Sequence, residues 1–270
     1  MKNLAFILIF LLSFKTFAQA PKWQSQQVFD YSTKVAEVTK NQIWNEFEPM
    51  KYVALKSEED KKFITFTANS DSPDDSFSWT LTDEYFSSNT LEDNLSITFH
   101  EAFHAFEADS KRAGKTWKRE NAMLIFEYQE SSARNNALFN IEGKILYSAL
   151  QTKNLSQLKQ KVRQFLTIRY LRQSELQKDF VEFEKGAESN EGMAEYAGTK
   201  VVIAAIEAVE QKKIALPLSE ITTAKFLAKQ FRQLIEITKI GKNIRRKFYY
   251  TGSVQGFLLD RLMNDWKTKV

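Results

Sequence analysis

The sequence predicts a mainly α-helical protein of the α+β class, in which long helices accompany a small N-terminal β-sheet. The 270 residues include 8 Gly and 4 Pro, which is few for this length and favours long helices over tight turns. Apolar residues recur at helical spacing over most of the chain, whereas two short segments before residue 90 have strand patterns. No Pro-, Gly- or Ser-rich linker divides the chain, so we expect one domain over residues 19–270. Residues 19–90 would supply a helix and strands, and residues 91–270 the remaining helices.

The first 18 residues have the pattern of a secretory signal peptide. Lys2 provides a positive charge, and the apolar run from Leu4 to Phe14 is too short to span a membrane. We predict cleavage after Ala18 rather than Ala20, because the second cut would place Pro21 directly after it. No later run of about 18 apolar residues exists, so we expect an exported protein, periplasmic or extracellular, without a stable membrane anchor. The alternative is that the segment remains as an uncleaved anchor.

The charge balance bears on the possible partners, and the cysteine content bears on how the fold is stabilised. The whole chain has 38 Lys and Arg against 34 Asp and Glu, and loss of the signal peptide lowers this small excess further. Such a balance does not indicate nucleic acid as a partner. The chain has no Cys, so its stability must come from a packed core without disulfides.

The N-terminal region should contain one helix and two strands. The segment Pro21–Phe47 has helical periodicity, Phe63–Thr67 is β-branched and aromatic, and Phe77–Leu81 alternates apolar and polar residues. The acidic segment 71–75 between the strands could suggest calcium, but its spacing fits no EF-hand loop. We interpret it as a solvated turn, because Ser, Pro and Asp occur together.

A metal-binding motif follows in the next predicted helix, Leu91–Arg112. It reads H-E-x-x-H, with His100 and His104 four residues apart and therefore on one helical face. Two such imidazoles can hold one divalent metal, usually zinc, and Glu101 can act as general base towards water at that metal. The chain has 2 His and both lie in this motif, so a chance match is rare; the alternative is a surface helix with two unrelated histidines. Any third protein ligand must then be Asp or Glu.

Periodicity predicts five more helices downstream of a connection around Gly114. These are Glu120–Leu150, Asn154–Asp179, Glu191–Gln211, Ser219–Ile237 and Thr251–Trp266. A break at Ala187–Asn190 should separate the second from the third.

Two acids on the third of these helices are candidates for the missing ligand. Glu191 and Glu195 lie one turn apart on a helix that is apolar on most sides, and buried carboxylates that repel each other need a partner. One could bind the metal while the other accepts a hydrogen bond from a ligating histidine. The alternative is a solvated pair at a helix N-terminus. Glu107, three residues after His104, is interpreted as solvated, because it lies too far along its helix to share the ion.

These motifs resemble those of the gluzincin metallopeptidases. The segment Asn190–Tyr196 resembles the N-E-G-x-A-x-Y sequence of aminopeptidase N-like enzymes, and its two glutamates are spaced like the E-x-x-x-D of thermolysin-like proteases. Further on, Tyr249–Gly252 followed by Leu258–Asp260 resembles the Y-x-x-G…LLD helix of aminopeptidase N-like and glycyl-aminopeptidase-like enzymes. No G-x-M-E-N motif precedes the metal helix, so the resemblance does not extend to exopeptidase specificity.

The resemblance implies a gluzincin-like core, one zinc ion and the hydrolysis of peptide bonds in a peptide or protein substrate. It implies that Glu191 is the third zinc ligand and that Glu195 supports a ligating histidine. Tyr249 would donate a hydrogen bond to the oxyanion, with Tyr250 as the runner-up. Two alternatives are a non-catalytic zinc- or peptide-binding protein with the same fold, and a helical interaction module without metal.

Two further groups of basic residues have no predicted catalytic role. Arg169 and Arg172 could face inward towards Glu127 or Glu130. A basic cluster before the last helix is interpreted as a solvated face, with binding of an anionic group as the alternative. Its members are Lys239, Lys242, Arg245, Arg246 and Lys247.

Overall fold

A computed structural model describes residues 22–39, 42–68, 77–109, 120–128, 132–219, 222–236 and 244–268. The predicted signal peptide, the acidic segment 71–75 and the connection around Gly114 lie outside the described residues, as do Glu130, Lys239 and Lys242. Within the described ranges, none of the helices has both the length and the apolar character that a membrane span requires.

The described elements are mainly helical, with one small sheet, as predicted. In chain order they are α1 Ser25–Thr39, β1 Val53–Glu58, β2 Lys61–Ala68, β3 Phe77–Thr82, α2 Asp83–Ser87, α3 Leu91–Ala108, α4 Ala133–Gln151, α5 Leu155–Gln173, α6 Lys178–Glu210, α7 Thr223–Phe231, α8 Gln233–Glu236 and α9 Ile244–Leu262. Short 3-10 turns occur at Pro49–Lys51, Ala122–Phe126 and Trp266–Thr268.

The three strands form an antiparallel sheet in the order β1-β2-β3. Both predicted strands are present. Strand β1 was not predicted, and it pairs with β2 through a hairpin. Ile64 and Phe66 on one face of β2 are fully buried, and β2 packs against α1 and α3. On β3, the ring centroid of Phe77 lies 5.9 Å from that of His104, so the sheet borders the H-E-x-x-H helix as expected.

Several predicted helix boundaries are wrong. Helix α1 ends at Thr39, and the expected helix over Glu120–Leu150 is a 3-10 turn followed by α4, which Ser132 caps. The region predicted as Ser219–Ile237 contains two shorter helices, and α9 begins at Ile244, seven residues before the predicted start at Thr251.

The predicted break at Ala187–Asn190 is absent, because α6 runs without interruption for 33 residues. The chain turns earlier, after α5 ends at Gln173. Polar and small residues around Ala187 reduce helix propensity, but Ala187 and Glu188 are buried against neighbouring elements, and tertiary packing outweighs propensity. Glu191 and Glu195 therefore lie in the middle of α6 rather than at a helix N-terminus.

Helix α6 makes close contacts with both α3 and α9. A Cβ atom at Gly192 would lie 2.5 Å from Cα of Gly252, so only glycine at both positions lets α6 and α9 cross at this distance. Likewise, a Cβ at Gly198 would lie 2.4 Å from the backbone oxygen of Ser96 on α3. These crossings bring the middle of α6 close to the motif histidines and to the start of α9.

Candidate metal centre

Three predicted ligand atoms converge in the protein interior. Nε2 of His100 lies 3.1 Å from Nε2 of His104, and Oε2 of Glu191 lies 3.3 Å from each of these nitrogens. The three residues are buried, with 3%, 9% and 6% of their surfaces exposed. Ligand atoms about 3.3 Å apart are what a tetrahedral ion with bonds of about 2.0–2.1 Å requires. This buried His-His-Glu group could therefore hold a metal ion.

The local sequence places both histidines on the inner face of α3. The side chain of Thr90 accepts a hydrogen bond from the backbone N–H of Asp93, and this cap fixes the start of the helix. Phe99 and Phe103 are fully buried beside the histidines and anchor the helix in the core. The imidazole rings of His100 and His104 consequently stand with centroids 4.7 Å apart.

Each histidine has a carboxylate beside its other nitrogen. Nδ1 of His100 lies 3.3 Å from Oε2 of Glu195, but the two atoms are not hydrogen-bonded. Nδ1 of His104 lies 3.2 Å from Oε2 of Glu107 and is hydrogen-bonded to it. The interpretation of Glu107 as solvated is wrong, because its side chain is 7% exposed. A carboxylate three residues after the second histidine lies on the same helical face, and that spacing was the available signal.

The second oxygen of Glu191 is held by Arg245. Nη2 of Arg245 donates to Oε1 of Glu191 at 2.6 Å, and the same guanidinium binds Glu120. The interpretation of the basic cluster as a solvated face is therefore wrong for Arg245, and also for Lys247, which is 1% exposed. Arg246 is exposed as expected, but it is hydrogen-bonded to the hydroxyl of Tyr250.

The surrounding acids favour positive charge on the histidines. Burial disfavours the charged form of His100, but Glu191 and Glu195 outweigh this effect and raise its pKa to about 9. Burial is likewise outweighed at His104, where Glu107 and Glu191 raise the pKa to about 10. Burial alone would raise the pKa of Glu191, yet the two histidines hold it well below its usual range. A divalent cation would replace the protons on the imidazoles, so metal binding would release protons.

The predicted catalytic residues lie next to this group. Glu101 is half-buried, and its negative charge acts on His100 and on Tyr85. The ring of Tyr249 stacks on the imidazole of His100 with centroids 5.6 Å apart, and its hydroxyl accepts a hydrogen bond from Arg245 at 3.0 Å. Burial and the charge of Glu191 raise the pKa of Tyr249 above its usual value, so its hydroxyl stays protonated at neutral pH.

A cavity of about 710 Å³ opens beside the metal-binding group. Its wall includes His100, Glu195, Tyr249 and Tyr250, so both candidate tyrosines reach the same space. Glu101 does not line the cavity, but it follows His100 in the chain, and His100 does line it. A cavity of this size can hold a small ligand or a short peptide segment.

Arg169 and Arg172, whose orientation the sequence left open, face inward, but with other partners. Both bind Glu142 on α4, and in addition Arg169 binds Glu188 and Arg172 binds Glu184 on α6. The expected partner Glu127 has no described contact with either arginine. The partners lie far away in sequence or on a different helix, where no local spacing rule applies.

No known protein family, curated protein or solved structure matches this chain.

Proposed function

We propose that this protein is an exported, zinc-dependent peptidase with a gluzincin-like core. The observation that carries the proposal is the buried triangle of two imidazole nitrogens and one carboxylate oxygen, with Glu101 next to the first histidine. Two histidines and one glutamate are a ligand set of catalytic zinc sites, in which a fourth position stays open. A purely structural zinc site would normally have four protein ligands, and the described residues contribute three here.

The donor set and its surroundings fit zinc. Nitrogen and carboxylate ligands suit this borderline ion, and the spacing of the three atoms matches tetrahedral coordination. Carboxylates beside both Nδ1 atoms would orient the imidazoles with Nε2 towards the ion. When bound, zinc would act as a Lewis acid towards the substrate carbonyl and would lower the pKa of water at the site.

Residues of the chain itself transfer the proton, stabilise the oxyanion and position the ligand Glu191. Glu101 takes the proton from water as the water attacks the peptide carbonyl, and it then returns the proton to the leaving amine. Tyr249 donates a hydrogen bond to the oxygen that becomes negatively charged in the transition state. Tyr249 is favoured over Tyr250 for this role, because its ring stacks on a predicted ligand, His100. Arg245 holds Glu191 in place through the oxygen that faces away from the histidines.

The test compares zinc content and peptide turnover in purified mature protein and two variants, with a mixed peptide library as substrate. Glu101→Gln keeps the side-chain shape but cannot accept the proton, so we expect normal zinc content and a roughly 10²- to 10⁴-fold loss of turnover. Tyr249→Phe should retain zinc and lose on the order of a hundredfold, as expected for one oxyanion donor. Tyr170→Phe, at an exposed position on α5, is the matched control and should behave as wild type.

Equal turnover in wild type and Glu101→Gln would reject the mechanism. Zinc binding without any hydrolysis across the library would favour the non-catalytic binding protein instead.

A further inference from the structure

Helix α9 carries two arginine–tyrosine pairs side by side. Arg245 donates to the hydroxyl of Tyr249 at 3.0 Å, and Arg246 donates through Nε to the hydroxyl of Tyr250 at 3.3 Å. Each pair spans one helical turn, and adjacent positions point about 100° apart around the axis. Both pairs line the cavity beside the metal-binding group, and Arg245 of the first pair also binds Glu191.

The two arginines differ in how their charge is satisfied. The guanidinium of Arg245 binds Glu120 and Glu191. For Arg246, no carboxylate lies within salt-bridge distance among the residues that the structure describes, and Glu195 acts on its charge from farther away. The lysine of the cavity wall, Lys229, is paired with Asp93 at 3.2 Å.

The geometry leaves the end of the Arg246 guanidinium available to a ligand. Its Nε is engaged by Tyr250, which is 6% exposed and therefore fixed in position. Both Nη groups have no described hydrogen-bond partner, and they form the planar fork that binds a carboxylate through two parallel hydrogen bonds. The side chain is exposed at the wall of a cavity that also reaches His100.

We propose that Arg246 binds a carboxylate of the peptide substrate, so that the protein prefers peptides that present a negative charge close to the bond at the metal. This inference rests on the proposed peptidase function and names its substrate class. The carboxylate can come from the C-terminus of a short peptide or from an acidic side chain, since both offer the same two oxygens. Tyr250 is a positioning residue in this arrangement, because it holds Nε and orients the fork.

The experiment measures binding rather than turnover. Zinc-loaded Glu101→Gln protein, which should not hydrolyse its ligands, is titrated calorimetrically with three probes: N-acetyl-Phe-Ala-Ala, its C-terminal amide, and N-acetyl-Phe-Glu-Ala amide. We expect a peptide with a carboxylate that reaches Arg246 to bind roughly 10- to 100-fold more tightly than the neutral amide. Comparison of the two charged probes tells whether the C-terminus or a side chain supplies the group.

Variants at two cationic positions test the assignment. Adding Arg246→Gln should abolish the preference for carboxylate while the neutral amide binds as before, and Arg246→Lys should restore only part of it, because lysine lacks the fork. Adding Lys229→Gln is the matched control on the same cavity wall and should leave the preference unchanged.

A carboxylate preference that survives Arg246→Gln would overturn the inference, and so would a failure of all three probes to bind. Preference for carboxylate together with no hydrolysis by wild-type protein would support carboxylate binding by Arg246 and favour the non-catalytic binding protein over the peptidase. Hydrolysis by wild-type protein without any preference for carboxylate would support the peptidase and overturn the inference about Arg246.

Discussion

Two regions of helix α6 place glutamates beside different kinds of cation. Four glutamates, at positions 184, 188, 191 and 195, are spaced to lie along one face of the helix. The first two belong to a buried network with arginines from α5. The other two face the histidines of α3.

The carboxylates of the arginine network are fully paired within the protein. Arg172 is 1% exposed and donates to both oxygens of Glu184 at 2.5 and 2.7 Å, while its Nε binds Glu142 at 2.6 Å. Arg169 binds both oxygens of Glu188 at 2.5 and 2.7 Å. Arginine stays charged at any ordinary pH, so these acids have permanent partners.

The carboxylates of the histidine region, by comparison, have partners whose charge can change. An imidazole is neutral or charged according to its surroundings, and it can exchange a proton for a metal ion. Glu191 and Glu195 therefore face groups whose charge can be replaced. The difference teaches that burial of an acid alone does not identify a site; the type of cation opposite the acid decides whether the region can bind a ligand.

The largest effect should follow from breaking the arginine network. Arg172→Met leaves Glu184 buried without its arginine and removes one of the two arginines that bind Glu142. Loss of one partner from a buried pair costs about 3–5 kcal/mol. We expect a corresponding fall in the free energy of unfolding, measured with urea. Arg134→Met removes an ion pair with Glu175 at the protein surface and is the control, with little expected change.

A fall in stability no larger than the control's would mean that the network is dispensable. Zinc content per folded molecule should be unchanged in both variants, because neither arginine contacts the ligand triangle.

Removal of a ligand should be next in size and should act through the loss of metal. His100→Ala and Glu191→Ala each delete one corner of the triangle, so we expect zinc affinity to fall by more than the roughly hundredfold that loss of an outer partner causes. Metal analysis after dialysis measures the loss, and Glu207→Gln, an exposed acid on the same helix, is the control.

Full zinc retention in Glu191→Ala would contradict the assignment of this residue and would point to Glu195 or Glu107 as the ligand.

The smallest effect should come from the carboxylates behind the histidines. Glu195→Gln and Glu107→Gln keep the side-chain shape but lose the charge, and we expect zinc affinity to fall roughly 10- to 100-fold in each, about 1.4–2.7 kcal/mol. Competition with a chromophoric chelator measures this. Complete loss of zinc in Glu195→Gln would identify that residue as a direct ligand.

The sequence predicted the parts of the site that depend on local geometry. Four-residue spacing places His100 and His104 on one helical face whatever the remainder of the fold does. The proximity of Glu191 to the two histidines was inferred from a motif resemblance. In the structure, the ligand atoms of these three residues do lie close together. The sheet beside the metal helix was predicted from its strand patterns, apart from β1, whose Lys, Ser and Glu residues hide the alternation.

What sequence reasoning missed depends on contacts between distant segments. The continuity of α6 past Ala187 depends on packing against neighbouring elements, which outweighs the weak local propensity. Arg245 looked like one member of a solvated cluster, because its partners Glu120 and Glu191 are 125 and 54 residues away in sequence. No spacing rule within a single helix could have identified those pairs.

The ligand triangle also joins two parts of the chain that are far apart. His104 and Glu191 are separated by 87 residues, so an ion held by both acts as a cross-link between α3 and α6 in a protein that has no Cys. Because the unfolded chain does not preserve the triangle, zinc bound to these residues would stabilise only the folded state, by about 2.7 kcal/mol when free zinc is a hundred times its dissociation constant. The melting temperature should therefore rise with zinc concentration and fall with a chelator, which makes thermal stability a measure of metal occupancy that needs no substrate.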